Sequence, residues 1–159
     1  MGAVSYPSPA VPALPSVTLD APESWSVEFS SPSIFSVVDT TGPEGAYRSN
    51  VVVSVTREAT GMTLDDAARA IDGYVAQRPA FVAVSDDRVE RAGSTWLRRE
   101  YDVLGPSGAP DLRFVVLATI VENGVCSDQV RFTGTARSGT PGAVELLTAA
   151  IDSAKVVQL

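Results

Sequence analysis

Between Leu112 and Thr135 the chain reads as two long β-prone runs, Leu112–Glu122 and Val125–Thr135, around Asn123-Gly124. That dipeptide suits the positive φ angles of a two-residue type I′ turn, so the runs form an antiparallel ribbon. Counting outward opposes Glu122 to Val125, Val121 to Cys126, Leu117 to Val130 and Val115 to Phe132. One face then carries Val115, Leu117, Val121, Cys126, Val130 and Phe132. The other pairs Val116 with Arg131, Ala118 with Gln129 and Ile120 with Ser127, and is mixed.

Shorter β-prone segments precede the ribbon: Val17–Leu19, Trp25–Phe29, Ile34–Asp39, Asn50–Arg57, Phe81–Val84, Arg88–Arg91 and Thr95–Leu104. Proline, serine and glycine clusters separate them, with Ala92-Gly93 read as a turn. Thr63 and Asp66 stand three apart like the members of a capping box, and Leu64, Ala67, Ala68, Ile71 and Val75 recur at helical spacing. The spacing predicts a helix over 64–78 that Pro79 stops. A second helix is read from Thr140 as N-cap and Pro141 at the first helical position, with Val144, Leu147, Ile151 and Ala154 along one side. Strands grouped around two helices, without strict βαβ alternation, indicate an α+β fold. The expectation is an antiparallel sheet with two main α-helices packed on one face.

Residues 1–16, rich in proline and alanine and free of formal charge, are expected to be an extended N-terminal arm, and residues 17–159 a single α+β domain. The arm reads as a tether or as a strap lying on another molecule. Its prolines interrupt any apolar core and no basic segment precedes them, so it does not read as a signal peptide.

No histidine occurs in the 159 residues, which removes the commonest general base and metal ligand. The net charge of −7 disfavours nucleic acid. Cys126 is the only cysteine and reads as a small core hydrophobe. Asp65 and Asp66 belong to the helix start, Asp86 and Asp87 read as solvated turn residues, and no phosphate loop accompanies Lys155, the single lysine. The expectation is therefore no enzyme, no cofactor and no metal.

What remains is a surface. In Thr95–Leu104 alternation places Leu97, Tyr101 and Val103 on one side and Trp96, Arg98, Glu100 and Asp102 on the other. Trp25 reads as core. Trp96, Arg98, Glu100, Gln129 and Arg131 are the candidate partner-binding residues, on the premise that Arg98 and Arg131 share one polar face. Arg98, Arg99, Arg113 and Arg131 all lie in the expected sheet, and the plainer reading of them is cross-strand ion pairing with Glu100 or Asp102.

The P-E-S-W turn of Pro22–Trp25, the N-V-V-V strand of Asn50–Val53, the helix after Leu64, the G-S-T-W-L-R-R-E-Y segment of Gly93–Tyr101 and the long Asn-Gly hairpin resemble the Mog1/PsbP-like superfamily. The resemblance runs from Val17 to Val157. That superfamily includes the actinobacterial LpqN-type, DcrB-type and Eag-chaperone-like proteins, and it implies a non-enzymatic role: binding proteins, shielding apolar segments, supporting a large assembly, or assisting envelope lipid transport. The chain departs from exported members in showing no signal peptide and no lipid-modified cysteine near its start, hence an expected cytoplasmic location, with an exported and processed form as the other reading. The function expected is a protein-binding adaptor or chaperone working through the open sheet face and the arm. The alternative is a carrier for an apolar, lipid-like ligand, which predicts a cavity lined by Phe114, Val116 and Ile120. An enzyme would need a carboxylate or tyrosine of perturbed pKa in a cleft.

Overall fold

Proline- and serine-punctuated segments become the first three strands in a computed structural model that describes residues 2–159: β1 (Ser16–Thr18), β2 (Trp25–Glu28) and β3 (Phe35–Asp39). There follow β4 (Asn50–Ala59), α1 (Leu64–Ala76), β5 (Phe81–Arg91), β6 (Ser94–Leu104), β7 (Pro110–Glu122), β8 (Cys126–Arg137), α2 (Ala143–Asp152) and β9 (Lys155–Val157). Seven of the strands make one antiparallel sheet in the order β2-β3-β4-β8-β7-β6-β5, and β1 pairs with β9 in a separate clasp. The fold is α+β.

Local chemistry sets α1. Thr63 Oγ1 accepts from the Asp66 amide at 3.3 Å, and the Asp66 carboxylate accepts from the Thr63 amide at 2.7 Å, closing the capping box. α2 starts later than expected. Thr140 to Ala143 form a turn, and the N-cap is Gly142 at φ 78°, with no side chain to bond the first amides.

The two hairpins exchange the turn chemistry expected of them. Ala92 and Gly93 both take positive φ, 47° and 81°, giving a tight two-residue turn. At Asn123-Gly124 only the glycine does. The Asn123 side-chain oxygen instead accepts from the amides of Val125 and Cys126, at 3.0 and 2.9 Å, and the loop widens to four residues. Glu122 therefore opposes Ser127, Val121 opposes Asp128 and Leu117 opposes Phe132. The register differs from the counted one by two residues, and an even slip leaves every side chain on its face. Phe81–Val84 and Arg88–Arg91 are likewise one strand, because an irregularity between Ala83 and Ser85 carries the backbone through Ser85–Asp87.

The helices do not share a face. Leu147 and Ile151 of α2 pack with Val51, Val53, Val115, Leu117 and Phe132, whereas Ala68 and Ile71 of α1 pack with Leu97, Tyr101, Phe114 and Val116. The cause lies in β7, where Phe114–Ala118 is an unbroken apolar run buried on both sides, the pattern of a strand covered above and below. α2 is seated on Gly134, where a Cβ would come within 2.5 Å of Leu147 Cδ1 and 2.6 Å of Ile151 Cδ1. Trp25 and Cys126 are buried, the core placement expected of both.

Candidate functional site

Pairing across β6, β7 and β8 distributes the five candidate residues over both faces. Trp96 opposes Thr119, Arg98 opposes Leu117 and Glu100 opposes Val115, so these three face α2. Arg131 opposes Ala118 and Gln129 opposes Ile120, so these two face α1. Arg98 and Arg131 are thus on opposite sides of the sheet, and no single surface contains all five residues. The premise of a shared polar face fails because alternation within one strand does not say which side of the next strand it meets.

Trp96 is not a surface residue. It is 3% exposed, its ring 6.2 Å from that of Phe132 and beneath the Arg91 guanidinium. Beside it runs a chain of ion pairs: Arg98 with Asp152 at 3.1 Å and with Glu100 at 2.5 Å, Arg113 with Glu100 at 2.7 Å and with Asp102 at 3.0 Å. Cross-strand pairing with Glu100 and Asp102 forms for Arg113 alone, while Arg98 bonds Glu100 along its own strand and Asp152 of α2. Trp96 and Thr119 also form part of the wall of a recess of about 400 Å³ closed by Ala154, Val156 and the β5–β6 turn, with Arg91 and Asp152 at its rim.

The α1 side is organised differently. α1 lies over β6 and β7, and its Tyr74 and Asp65 reach Phe81 and Arg88 of β5. Next to it β8 and β4 are left without a helix above them, presenting Gln129, Arg131 and Thr133 half-buried and Val52 and Thr56 exposed. Along the boundary runs a groove of about 140 Å³ lined by Ile71, Tyr74, Phe114, Val116, Arg131 and Thr133. Tyr74 is held in place, its ring stacked on Phe114 at 6.0 Å between centroids and 10° between planes, with the Arg78 guanidinium 3.5 Å above it. Phe114 and Val116 line this groove as the carrier reading expected, while Ile120 does not.

Arg131 stands apart from its neighbours. Its Nε is enclosed without a hydrogen-bond partner, and among the described residues no carboxylate lies within 4.0 Å of it. Arg57, Arg88, Arg91, Arg98, Arg99 and Arg113 are each paired. Arg99, only 8% exposed, reaches Asp72 of α1 at 2.5 Å and Asp86 at 3.1 Å.

Asp66, Glu122 and Tyr101 shift away from neutrality. Bonds from the Thr63 backbone and side chain lower Asp66, and the Ser127 hydroxyl and the Gly61 amide lower Glu122. Burial raises the Tyr101 hydroxyl against the pull of Arg99.

The arm, finally, lies on its own domain. Arg57 forms a two-bonded pair with the buried Asp128 carboxylate, both contacts at 2.7 Å, and also donates to the carbonyls of Pro12 at 2.6 Å and Ala13 at 3.2 Å. Pro15 is buried. No feature of residues 2–16 taken alone pointed to Arg57.

Neither a protein-family model nor any curated protein matches the chain. Among solved structures it is similar to LpqN of Mycobacterium tuberculosis, a protein described as involved in cell envelope biogenesis, at 11% identity and TM-score 0.73 over 97% of this chain and 88% of that one. It is also similar to the cyanobacterial PsbP (CyanoP) of Synechocystis sp. PCC 6803, at 13% identity and TM-score 0.60 over 98% of each chain. An antiparallel sheet with two helices, matched over nearly the whole length by both neighbours, identifies the chain as having the Mog1/PsbP-like fold.

Proposed function

We propose that the chain is a non-enzymatic accessory protein that binds another protein on the half of the α1 face that α1 leaves uncovered. The observation that carries this reading is the step from α1 to open sheet, where an apolar groove meets a half-polar surface and Arg131 has no carboxylate within 4.0 Å among the described residues. Antiparallel sheets can present such a face to a partner. The direction of the acid–base shifts supports the non-enzymatic part, since none brings a group toward the working range of a general base. The similarity to LpqN is in keeping with an accessory role at the cell envelope.

A photo-crosslinking amino acid in place of Thr133 should give one discrete protein adduct in the native host, and the same group in place of Leu146, exposed on α2, should give none. The reverse pattern, or adducts from neither position, removes the reading.

A second reading, a carrier for a small apolar ligand, is favoured by the recess behind Trp96. Its size of about 400 Å³ falls within the roughly 300–1,000 Å³ of small-molecule sites. Native mass spectrometry of the purified chain should then show a co-purifying ligand that Ala154→Trp expels.

A further inference from the structure

We infer that the groove beside Tyr74 is an anchor socket for a partner segment that presents one apolar side chain next to a carboxylate. The inference rests on the protein-binding reading above and specifies the chemistry recognised.

Size comes first. At about 140 Å³ the groove is well below the roughly 300–1,000 Å³ of small-molecule sites and matches the ~150 Å³ engineered apolar cavity that takes up benzene. One leucine or phenylalanine side chain fits such a space, and an acyl chain does not. Its lining suits that occupant: Ile71, Phe114 and Val116 are apolar, and Tyr74 is stacked on Phe114 with the Arg78 guanidinium over its ring, which limits the side-chain entropy lost on binding.

Charge comes second. Arg131 lines the same groove with its Nε enclosed and unbonded, in a molecule whose other buried or half-buried sheet arginines, Arg57, Arg91, Arg98, Arg99 and Arg113, each pair with a carboxylate. The guanidinium has no carboxylate within 4.0 Å among the described residues, and an incoming carboxylate would meet the planar fork of its two terminal nitrogens with two oxygens. Arg78 adds a second cation over the Tyr74 ring that bonds only a backbone carbonyl, that of Tyr74, at 2.8 Å. An acidic protein of net charge −7 thus keeps a local cationic spot beside an apolar socket.

The test uses the ¹⁵N-labelled full chain and two hexapeptides capped at both ends, identical except that glutamate or glutamine neighbours a single phenylalanine. The glutamate peptide should shift the amides of Ile71, Tyr74, Phe114, Arg131 and Thr133 and bind at least about tenfold more tightly, as a charge-assisted hydrogen bond provides. Arg131→Gln should abolish the preference. Arg131→Lys, which keeps the charge without the fork, should retain part of it and serves as well if Arg131→Gln lowers the unfolding midpoint. Equal binding of the two peptides, shifts on other elements, or an undiminished preference in Arg131→Gln overturns the inference. Tighter binding of monomeric dodecanoate at the same amides also overturns it and assigns the groove to lipid. Crosslinking from position 133 that persists beside failed peptide binding leaves the protein-binding reading standing while this inference falls.

Discussion

Arg57 holds together two parts of the molecule that the sequence separates widely. Its guanidinium covers the carboxylate of Asp128, which is 1% exposed, and the same group ties down the carbonyls of Pro12 and Ala13. Removing it leaves a buried carboxylate without its counter-ion. Arg57→Ala should therefore destabilise the domain by about 3 kcal/mol in denaturant titration. It should also make residues 2–14 susceptible to limited proteolysis under conditions where the parent chain is resistant. Gly134 is the second such position: any side chain there meets Leu147 and Ile151, both fully buried, so Gly134→Val should cost about 1–3 kcal/mol through overpacking. Neither role was visible in the sequence, since a threonine-rich strand with one glycine does not announce a helix seat. Arg131 was visible as a charge among apolar neighbours, whereas the burial of Trp96 was not, because its strand neighbours Arg98 and Glu100 are ionic.

Among the elements, α1 was the most legible, because everything that starts it is within four residues. Thr63→Ala removes the side-chain acceptor for the Asp66 amide and should cost about 1 kcal/mol, read as a lowered unfolding midpoint with unchanged denaturant slope. α2 illustrates the opposite case. Pro141 and Thr140 carry the signals of a helix start, yet tertiary packing on Gly134 fixes where the helix lies, and Gly142 opens it without a capping side chain. In the β7–β8 hairpin the departure from a two-residue turn is local: the Asn123 side chain accepts from two amides while its backbone keeps a negative φ. The face assignment of every residue survived because the slip was even.

At the scale of the whole molecule the sheet order was not legible, because pairing of β4 with β8 depends on contacts more than seventy residues apart, such as Arg57 with Asp128. The staggered helices follow from it: each covers part of one face, and the part left bare beside α1 is the candidate surface. Stability should depend on acid pH in a definite sense. Asp66 and Glu122 have lowered folded-state pKa values, so their contribution is complete above the unfolded value of about 4 and is lost as pH falls through the lowered one. Denaturation midpoints measured from pH 7 to pH 2 should fall below about pH 4, and Thr63→Ala with Ser127→Ala should flatten that fall. The clasp of β1 and β9 has a mechanical consequence. Ser16 pairs with Val157 and Thr18 with Lys155, so the last residues of the described chain lie beside the start of β1. Tension applied to the two ends strips the Arg57-held arm and then unzips the short ladder rung by rung, leaving the seven-stranded sheet unloaded until both have let go.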